Sequence, residues 1–273
     1  MCRAQRSLAS EIVLVSEWRL GTIVETLRES SVQLLVVSDL HYSLKQYDWI
    51  YERRRPDELL VIAGDLLDIA GHVDLDTQIV VVEKYLRRLA VSGALVVCSG
   101  NHDLDAESPE GEPYAEWLQG LRGAGISVDG QGLTIDGTRI SVCPWWEGES
   151  GRLDVETFLR DEGDSKSENR WIWIYHAPPS GSKTSWNGKK FSGDEFLRRM
   201  IGEMRPDIVI GGHIHNSPFY GEGSWFDRVD GTWVFNPGRL MASTPTCIRV
   251  DLDAMRATWE SPEGDEHIAL SAT

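Results

Sequence analysis

Five short fragments rich in aspartate and histidine are separated along the chain but together contain the side chains of one metal site. They are DLH at residues 39–41, GDLLD at 64–68, GNHD at 100–103, YHAPP at 175–179 and GHIH at 212–215. Two divalent cations held roughly 3.5 to 4 Å apart by such side chains can activate a water and neutralise the oxygens of a phosphate under attack. The residue types therefore predict a dinuclear centre suited to phosphate ester hydrolysis.

Seven side chains from these fragments divide into two ligand sets with one shared member. The first set is Asp39, His41, Asp65 and His215, and the second is Asp65, Asn101, His176 and His213. A carboxylate is the usual bridge between two cations, so Asp65 is predicted to bind both. Imidazole nitrogens dominate and thiolates are absent, which favours two divalent or mixed-valence transition metal ions, manganese, iron, zinc or nickel, over magnesium alone.

Each fragment follows a run of apolar residues with the length of a buried strand. The runs are LLVV, LLVIA, LVV, WIWI and IVI, and stretches with helical spacing lie at residues 75–90, 111–123 and 194–203. Strand-like runs that alternate with helical stretches predict an α/β sheet. Ligand sites in such sheets lie beyond the carboxyl ends of the strands, where these fragments are expected to meet.

The order and spelling of the fragments resemble the calcineurin-like metallophosphoesterases, of the small bacterial phosphodiesterase or phosphatase type, over residues 34–238. The family pattern of DxH, GDxxD, GNH[DE], a lone His and GHxH is present without a missing ligand. The resemblance implies a four-layer α/β/β/α sandwich of two mixed β-sheets flanked by helices. It also implies that a hydroxide bridging the two metals hydrolyses a phosphomonoester or phosphodiester.

Two further residues of the fragments are predicted to take part in catalysis. The resemblance implies that His102 steadies the phosphate and protonates the leaving group, and its place directly after the ligand Asn101 agrees with a general acid. The alternative is a structural histidine that bonds a neighbouring loop. Asp68 matches the family carboxylate that orients this histidine, and its alternative role is to cap a helix that begins near Leu75.

Three features of the sequence bear on the substrate. In the protein Ser/Thr phosphatases of the family an arginine that clamps the phosphate follows GDxxD, whereas Ile69 stands there in this chain, so a phosphoprotein substrate is disfavoured. The NPG at residues 236–238 is similar to a turn of small bacterial phosphodiesterases, although a generic turn also explains it. We expect a small or nucleotide-like phosphate ester, as either monoester or diester.

The composition predicts one main domain and no polyanionic partner. With 273 residues and 41% hydrophobic content, the chain is expected to form a metallophosphoesterase domain at residues 31–262, with residues 1–30 added to the core and an acidic, frayed tail at 263–273. A net charge of −16 disfavours nucleic acid, which binds basic surfaces. Two cations beside Asp39 and Asp65 would nevertheless make the site itself electropositive.

Cysteine content and apolar patterning suggest a cytoplasmic location. The four cysteines are too few for a disulfide framework, and Cys98 and Cys143 are expected to be small buried hydrophobic residues. The longest apolar run near the start is the four residues 12–15, which predicts neither a signal peptide nor a membrane partner.

The loop at residues 180–191 follows the ligand His176 and is the main candidate for substrate contacts. Its side chains Lys183, Trp186 and Lys189 are predicted to form a basic, aromatic lid over the site, and a solvated surface loop is the alternative. Trp145 and Trp146 could stack on a base or sugar, although core packing is expected for at least one of them.

Two other functions stay open at the level of the sequence. The first is a manganese-dependent DNA nuclease of the same superfamily, for which this acidic chain shows no basic surface. The second is a non-enzymatic metal-binding interaction scaffold, since some relatives have lost ligands. The ligand set here is whole, which favours the enzyme.

Overall fold

The structure is a computed structural model that describes residues 32–164 and 170–271. Two mixed β-sheets lie face to face and helices cover their outer surfaces, so the predicted four-layer sandwich is confirmed. The predicted N-terminal addition at residues 1–30 lies outside the described residues. Within the described part of the chain, no helix is long and apolar enough to cross a membrane.

The first sheet has seven strands and is parallel on one side and antiparallel on the other. In chain order they are β1 Gln33–Val37, β2 Glu58–Ala63, β3 Leu95–Cys98, β6 Ile126–Ser127, β13 Cys247–Asp251, β14 Arg256–Ser261 and β15 Gly264–Ala269. Their spatial order is β15-β14-β13-β1-β2-β3-β6. The neighbours from β1 to β6 pair in parallel, and those from β15 to β1 pair antiparallel.

The second sheet has six strands and a parallel centre. They are β7 Gln131–Ile135, β8 Thr138–Val142, β9 Arg170–Ile174, β10 Ile208–Ile210, β11 Phe226–Val229 and β12 Thr232–Phe235, in the spatial order β11-β12-β10-β9-β8-β7. Strands β8, β9, β10 and β12 are parallel, and β7 and β11 pair antiparallel at the two edges. A separate two-stranded ribbon joins β4 Ala106–Glu107 to β5 Pro113–Tyr114.

Within the described residues, five α-helices cover the two sheets. On the first sheet lie α1 Leu44–Arg53, α2 Leu75–Val91 and α3 Glu116–Gln119, and on the second lie α4 Glu149–Asp164 and α5 Glu195–Met204. Asp74 and Asp194 cap α2 and α5 by accepting the N–H of Thr77 and Leu197. The helix expected at residues 111–123 is wrong, because Pro113 is in β5 and only one helical turn follows.

The central strands are apolar on both faces because each face is covered. In β1, Leu34 and Val36 pack between the sheets, while Leu35 and Val37 pack against the helices. The predicted burial of Cys98 and Cys143 is confirmed. This burial holds the carboxyl ends of the strands, and the loops that follow them, in fixed positions.

The predicted fraying of residues 263–273 is contradicted over most of that segment. Residues Gly264–Ala269 form β15, which pairs with β14 along six residue pairs. The acidic residues that suggested a solvated tail are exposed on an edge strand, where charged side chains are well tolerated.

Candidate dinuclear metal centre

The loops after five strands of the two sheets meet at one end of the sandwich. Asp39 and His41 follow β1, Asp65 follows β2, Asn101 follows β3, His176 follows β9, and His213 and His215 follow β10. Backbone hydrogen bonds join the loops. The N–H of Asp39 donates to the carbonyl of Gly64 at 3.0 Å, and the N–H of Gly212 donates to the backbone carbonyl of His176 at 2.7 Å. The loops therefore form one connected unit.

Two groups of predicted ligands are close enough to share a cation. Ligand atoms of Asp39, His41, Asp65 and His215 lie within 4.8 Å of one another, and those of Asp65, His176 and His213 do likewise. Asp65 belongs to both groups. The structure thus brings together six of the seven predicted ligands in the sets expected from the sequence.

The two carboxylates are held by protein donors and face the histidines, and the N–H of His213 donates to both oxygens of Asp39 at 3.0 and 3.1 Å. Asp65 Oδ1 accepts the N–H of His102 at 2.9 Å, and its Oδ2 lies 3.5 Å from His41 Nε2 and 3.1 Å from His176 Nε2. Asp39 Oδ2 accepts the hydroxyl of Ser38 at 2.5 Å, and its Oδ1 lies 3.2 Å from His215 Nε2. Asp65 Oδ2 therefore lies between the two ligand groups, and it is closer to His176 than Asp39 Oδ1 is, at 3.1 Å against 3.8 Å.

Two buried polar atoms at the centre are without hydrogen-bond partners, as metal ligands would be. His176 Nδ1 donates to the carbonyl of Ala63 at 2.7 Å, which directs Nε2 toward the carboxylates. Nε2 itself is buried and is 3.1 Å from Asp65 Oδ2 without the geometry of a hydrogen bond, and among the described residues Asn101 Oδ1, the seventh predicted ligand, is also buried without a partner. Since buried polar groups are costly unless satisfied, these nitrogen and oxygen donors fit two divalent cations.

Backbone strain is concentrated in the ligand loops. The φ angles of Asp39, His41, Asp65 and His213 are 55°, 41°, 54° and 66°, in the left-handed region that non-glycine residues rarely occupy. Each such residue costs about 1–3 kcal/mol, and such strain clusters at functional sites. Gly64 adds a close approach, because a Cβ there would lie 2.4 Å from His176 Nδ1.

The carboxylates and histidines shift each other's pKa values. Burial acts to lower the pKa of His176, but the charges of Asp65 and Asp39 outweigh it and raise the value to about 9. Burial lowers the pKa of His41 to about 4, and burial together with the charge of His176 lowers that of His213 to about 4. The facing histidines hold the pKa of Asp39 well below its usual range, although burial opposes this shift.

When the protein is kept free of metal, these shifts predict that the combined contribution of the three histidines to stability is greatest near pH 6.5. The pKa of His176 is raised from 6.5 to about 9, so its contribution is complete below pH 6.5 and is lost as the pH rises to 9. The lowered pKa values of His41 and His213 cause a loss as the pH falls from 6.5 toward 4. Thermal unfolding in a chelator across this range measures both effects. Burial raises the pKa of Asp103 to about 8 and that of Asp129 to about 7, so these carboxyls add a decline of their own. A His176→Asn variant should therefore show a smaller alkaline decline, and an unchanged decline in that variant would contradict the assignment.

His102 and Asp68 lie beside the first ligand group. Ligand atoms of His41, Asp68 and His102 are within 4.8 Å of one another, and the rings of His41 and His102 meet edge to face at 4.5 Å. The expected orienting hydrogen bond is not formed, because His102 Nδ1 is buried without a partner and Asp68 Oδ1 accepts the N–H of Ala70. The alternative of Asp68 as a helix cap is wrong, because Asp74 caps α2.

Sequence reasoning missed three polar side chains that fix the ligand loops. Asp103 is fully buried, and its carboxylate accepts the N–H groups of Leu66, Leu67 and Gly100. Ser38 orients Asp39, as described above. The amide of Asn236 donates to the carbonyls of Gly212 and Ile214. The fourth position of GNH[DE] and the Asn of NPG were visible signals for two of them.

The adjacent residues Trp145 and Trp146 have different environments. Trp146 is buried and stacked on Tyr175 at 3.7 Å, which agrees with the core packing expected for one of them. The ring of Trp145 lies 5.7 Å from that of His176 and 5.3 Å from that of His213. Trp145 also lines a cavity of about 350 Å³, so it separates this cavity from the second ligand group.

The loop at residues 180–191 has an anchored base and an exposed tip. Ser182, Thr184 and Ser185 are buried, and the Asn236 amide that holds the GHIH loop also donates to the carbonyl of Thr184. Lys183 and Lys189 are exposed, and Trp186 packs on Phe191 within the loop. The base is therefore tied to the GHIH loop through a single side chain. His72 and His267, the two histidines outside the five fragments, are exposed.

Comparisons with known proteins identify relatives of this fold. The sequence profile of the calcineurin-like phosphoesterases matches residues 32–217. No curated protein matches the sequence. The solved structure of TT1561 from Thermus thermophilus is similar with a TM-score of 0.54 and 14% identity over 89% of this chain and all (100%) of that chain. GAP50, described as the anchor in the inner membrane complex of Plasmodium, gives a TM-score of 0.56 and 10% identity over 89% of each chain.

Proposed function

The chain belongs to the calcineurin-like phosphoesterase family and is a metal-dependent phosphoester hydrolase, and from this premise we propose that it cleaves a small phosphomonoester or phosphodiester at the cluster around Asp65. The observation that carries the proposal is the shared position of Asp65 in two groups of metal-ligating side chains. We assign the seven predicted ligands to two metals, with Asp65 as the bridge.

Each group of the cluster has a defined task in this proposal. When bound, the two cations supply an activated water and Lewis acids for the oxygens of the phosphate. Asp39 and the histidines hold them, and Ser38 and Ala63 fix the orientation of Asp39 and His176. His102, whose Nδ1 has no hydrogen-bond partner, gives a proton to the departing oxygen. The metals we propose are transition ions, for which imidazole-rich sites are suited.

The cavity beside Trp145 supports a small organic group as the other part of the substrate. Its volume of about 350 Å³ is within the usual range for small-molecule sites. The aromatic rings of Tyr114 and Trp145 and the carboxyl groups of Glu110 and Asp154 are among its lining. Such a lining favours a neutral or cationic organic group over a chain of further phosphates.

A nuclease or scaffold role receives less support from the same observations. The net charge of −16 opposes a long polyanion, whose binding relies on basic surface. GAP50, a structural neighbour of this chain, is described as an anchor, which would suit a scaffold. An identity of 10% shows only a common fold. A complete set of ligands favours hydrolysis in this chain.

We also propose that the loop at residues 180–191 contacts the organic part of the substrate. Replacing Lys183, Trp186 and Lys189 with alanine together should then impair a preferred natural substrate about 10-fold or more while leaving a minimal aryl phosphate ester nearly unaffected. Steady-state kinetics on both substrates measure the difference. Alanine at the exposed Arg53 and Lys84 provides a control for lost surface charge. Equal losses on both substrates would indicate a folding effect, and unchanged kinetics would remove the loop from the site.

A substrate panel after reconstitution with single metals tests the proposed function. The panel contains aryl and alkyl monoesters, diesters, cyclic nucleotides and linear DNA, each with manganese, iron, zinc or nickel. We expect turnover of small esters and none of DNA. Turnover of linear DNA with manganese would favour the nuclease, and a folded, metal-loaded protein inactive on all small esters would contradict the proposal.

A further inference from the structure

We propose that Arg239 is the arginine that binds the phosphate oxygens of the substrate. It follows the NPG turn at residues 236–238, whereas the arginine of the protein Ser/Thr phosphatases follows GDxxD. The usual position after GDLLD holds Ile69, an apolar side chain that is 57% exposed. This inference rests on the proposed function, since it concerns the anion that the cluster would bind. Three observations on the described residues support it.

The first observation is the turn that delivers Arg239 to the GHIH loop. Asn236 is fully buried, its amide binds the carbonyls of Gly212 and Ile214, and its Oδ1 accepts the N–H of Gly238. Gly238 has a φ of +68°, and a Cβ there would lie 2.9 Å from the carbonyl oxygen of His215. The turn therefore rests directly on the loop that carries two predicted ligands.

The second observation is the contact of Arg239 itself with that loop. Its backbone N–H donates to the carbonyl of His215 at 3.0 Å. The segment after it is fixed by Gln46 of α1, whose amide donates to the carbonyls of Leu240 and Ala242. Arg239 is thus held from both sides next to the first ligand group. A rigid backbone on both sides is what positions a long side chain at a site.

The third observation is that, among the residues that the structure describes, the guanidinium has no hydrogen-bond or ion-pair partner. Nε of Arg239 is buried and forms no hydrogen bond, and within residues 32–164 and 170–271 no carboxylate forms a salt bridge with this side chain. Its positive charge acts on His41, where it contributes to lowering the pKa of that ligand. A partly buried arginine without an acidic partner, beside a predicted metal centre, is suited to an anionic ligand.

The chemistry of the guanidinium defines the class of ligand. Its planar fork donates two parallel hydrogen bonds to the oxygens of a phosphate, which the point charge of a lysine cannot reproduce. Arg239 would therefore bind the oxygens of the phosphoryl group, and it would also hold inorganic phosphate after release of the alcohol. In this role Arg239 binds the phosphate oxygens and transfers no proton.

Binding of inorganic phosphate to the metal-loaded protein tests the inference without relying on turnover. A hydrogen bond to a charged group contributes about 1.5–3 kcal/mol, so Arg239→Gln should weaken phosphate binding by roughly 10- to 150-fold. Arg239→Lys should recover only part of this loss. Arg53→Gln is the matched control, since Arg53 is exposed at the end of α1, roughly 14 Å along the helix from its start beside the site. Calorimetric titration gives the dissociation constants, and elemental analysis gives the metal content.

The outcomes separate this inference from the proposed function. Equal phosphate affinity in the wild type and Arg239→Gln, with two metals retained in both, would overturn the role of Arg239. Loss of metal in both Arg239→Gln and Arg239→Lys would also overturn it and indicate a structural residue. A wild type that binds phosphate through Arg239 but hydrolyses no ester would refute the proposed function and leave the anion site intact.

Discussion

Replacing Asp65 with alanine is expected to remove bound metal from both positions and to lower kcat by about 1,000-fold or more. Asp65 Oδ2 lies near histidines of both groups, 3.5 Å from His41 Nε2 and 3.1 Å from His176 Nε2, and Asp39 Oδ1 lies farther from His176 Nε2, at 3.8 Å. Its loss would leave each cation without its shared ligand. Elemental analysis of the purified variant after reconstitution measures the metal content directly, and circular dichroism establishes that the fold is retained.

Asn101→Ala is the matched comparison for Asp65→Ala. Asn101 is assigned to the second metal alone, so its removal should weaken that metal and leave the first nearly unchanged. A graded chelator titration of both variants distinguishes a loss at one position from a loss at two. Two metals per chain and normal turnover in Asp65→Ala would show that the bridging assignment is wrong.

Replacing His102 with alanine is expected to slow hydrolysis of alkyl phosphate esters by on the order of 100-fold or more, with a smaller loss for nitrophenyl esters. A proton donor matters most when the departing oxygen is strongly basic, as in an alkyl or sugar ester, and least for a stable nitrophenolate. The ring lies 4.5 Å from that of His41 but belongs to neither group assigned to a metal, so metal content should be retained. Kinetics on matched alkyl and nitrophenyl esters measure the difference.

The leaving-group dependence separates proton donation from other roles of His102. An identical loss for both esters, with both metals bound, would contradict proton donation and favour positioning of the phosphate. Loss of metal would show that His102 supports the site indirectly, since its backbone N–H binds Asp65 Oδ1. If Asp68 orients His102 during the reaction, Asp68→Asn should show the same leaving-group dependence with a smaller magnitude.

The ligand groups and the sandwich were predictable because both depend on local patterns. Asp39 and Asp65 directly follow apolar runs that are strands β1 and β2, and the carboxyl ends of adjacent parallel strands must lie close together. The position of a motif that follows a strand is therefore set by that strand. The separation into two groups that share Asp65 followed from the same patterns and agrees with the distances.

The supporting residues were not predictable because their roles exist only after the chain has folded. Asp103 accepts the N–H groups of Leu66 and Leu67, which lie 37 and 36 residues earlier in the chain. The turn that carries Arg239 lies against the GHIH loop because the amide of Asn236 donates to the carbonyls of Gly212 and Ile214. Strand β15 was missed for a related reason, since an acidic segment forms a strand only when β14 offers an edge to pair with.

Anomalous diffraction from crystals of the manganese-loaded protein would locate the cations relative to the residues that would hold them, and so tests the assignment of two metals around Asp65. Two peaks about 3.5 to 4 Å apart are expected, one on each side of Asp65 Oδ2. One should lie among Asp39, His41 and His215, and the other among Asn101, His176 and His213. A single peak, or peaks away from Asp65 in a protein that hydrolyses phosphate esters, would contradict the dinuclear assignment.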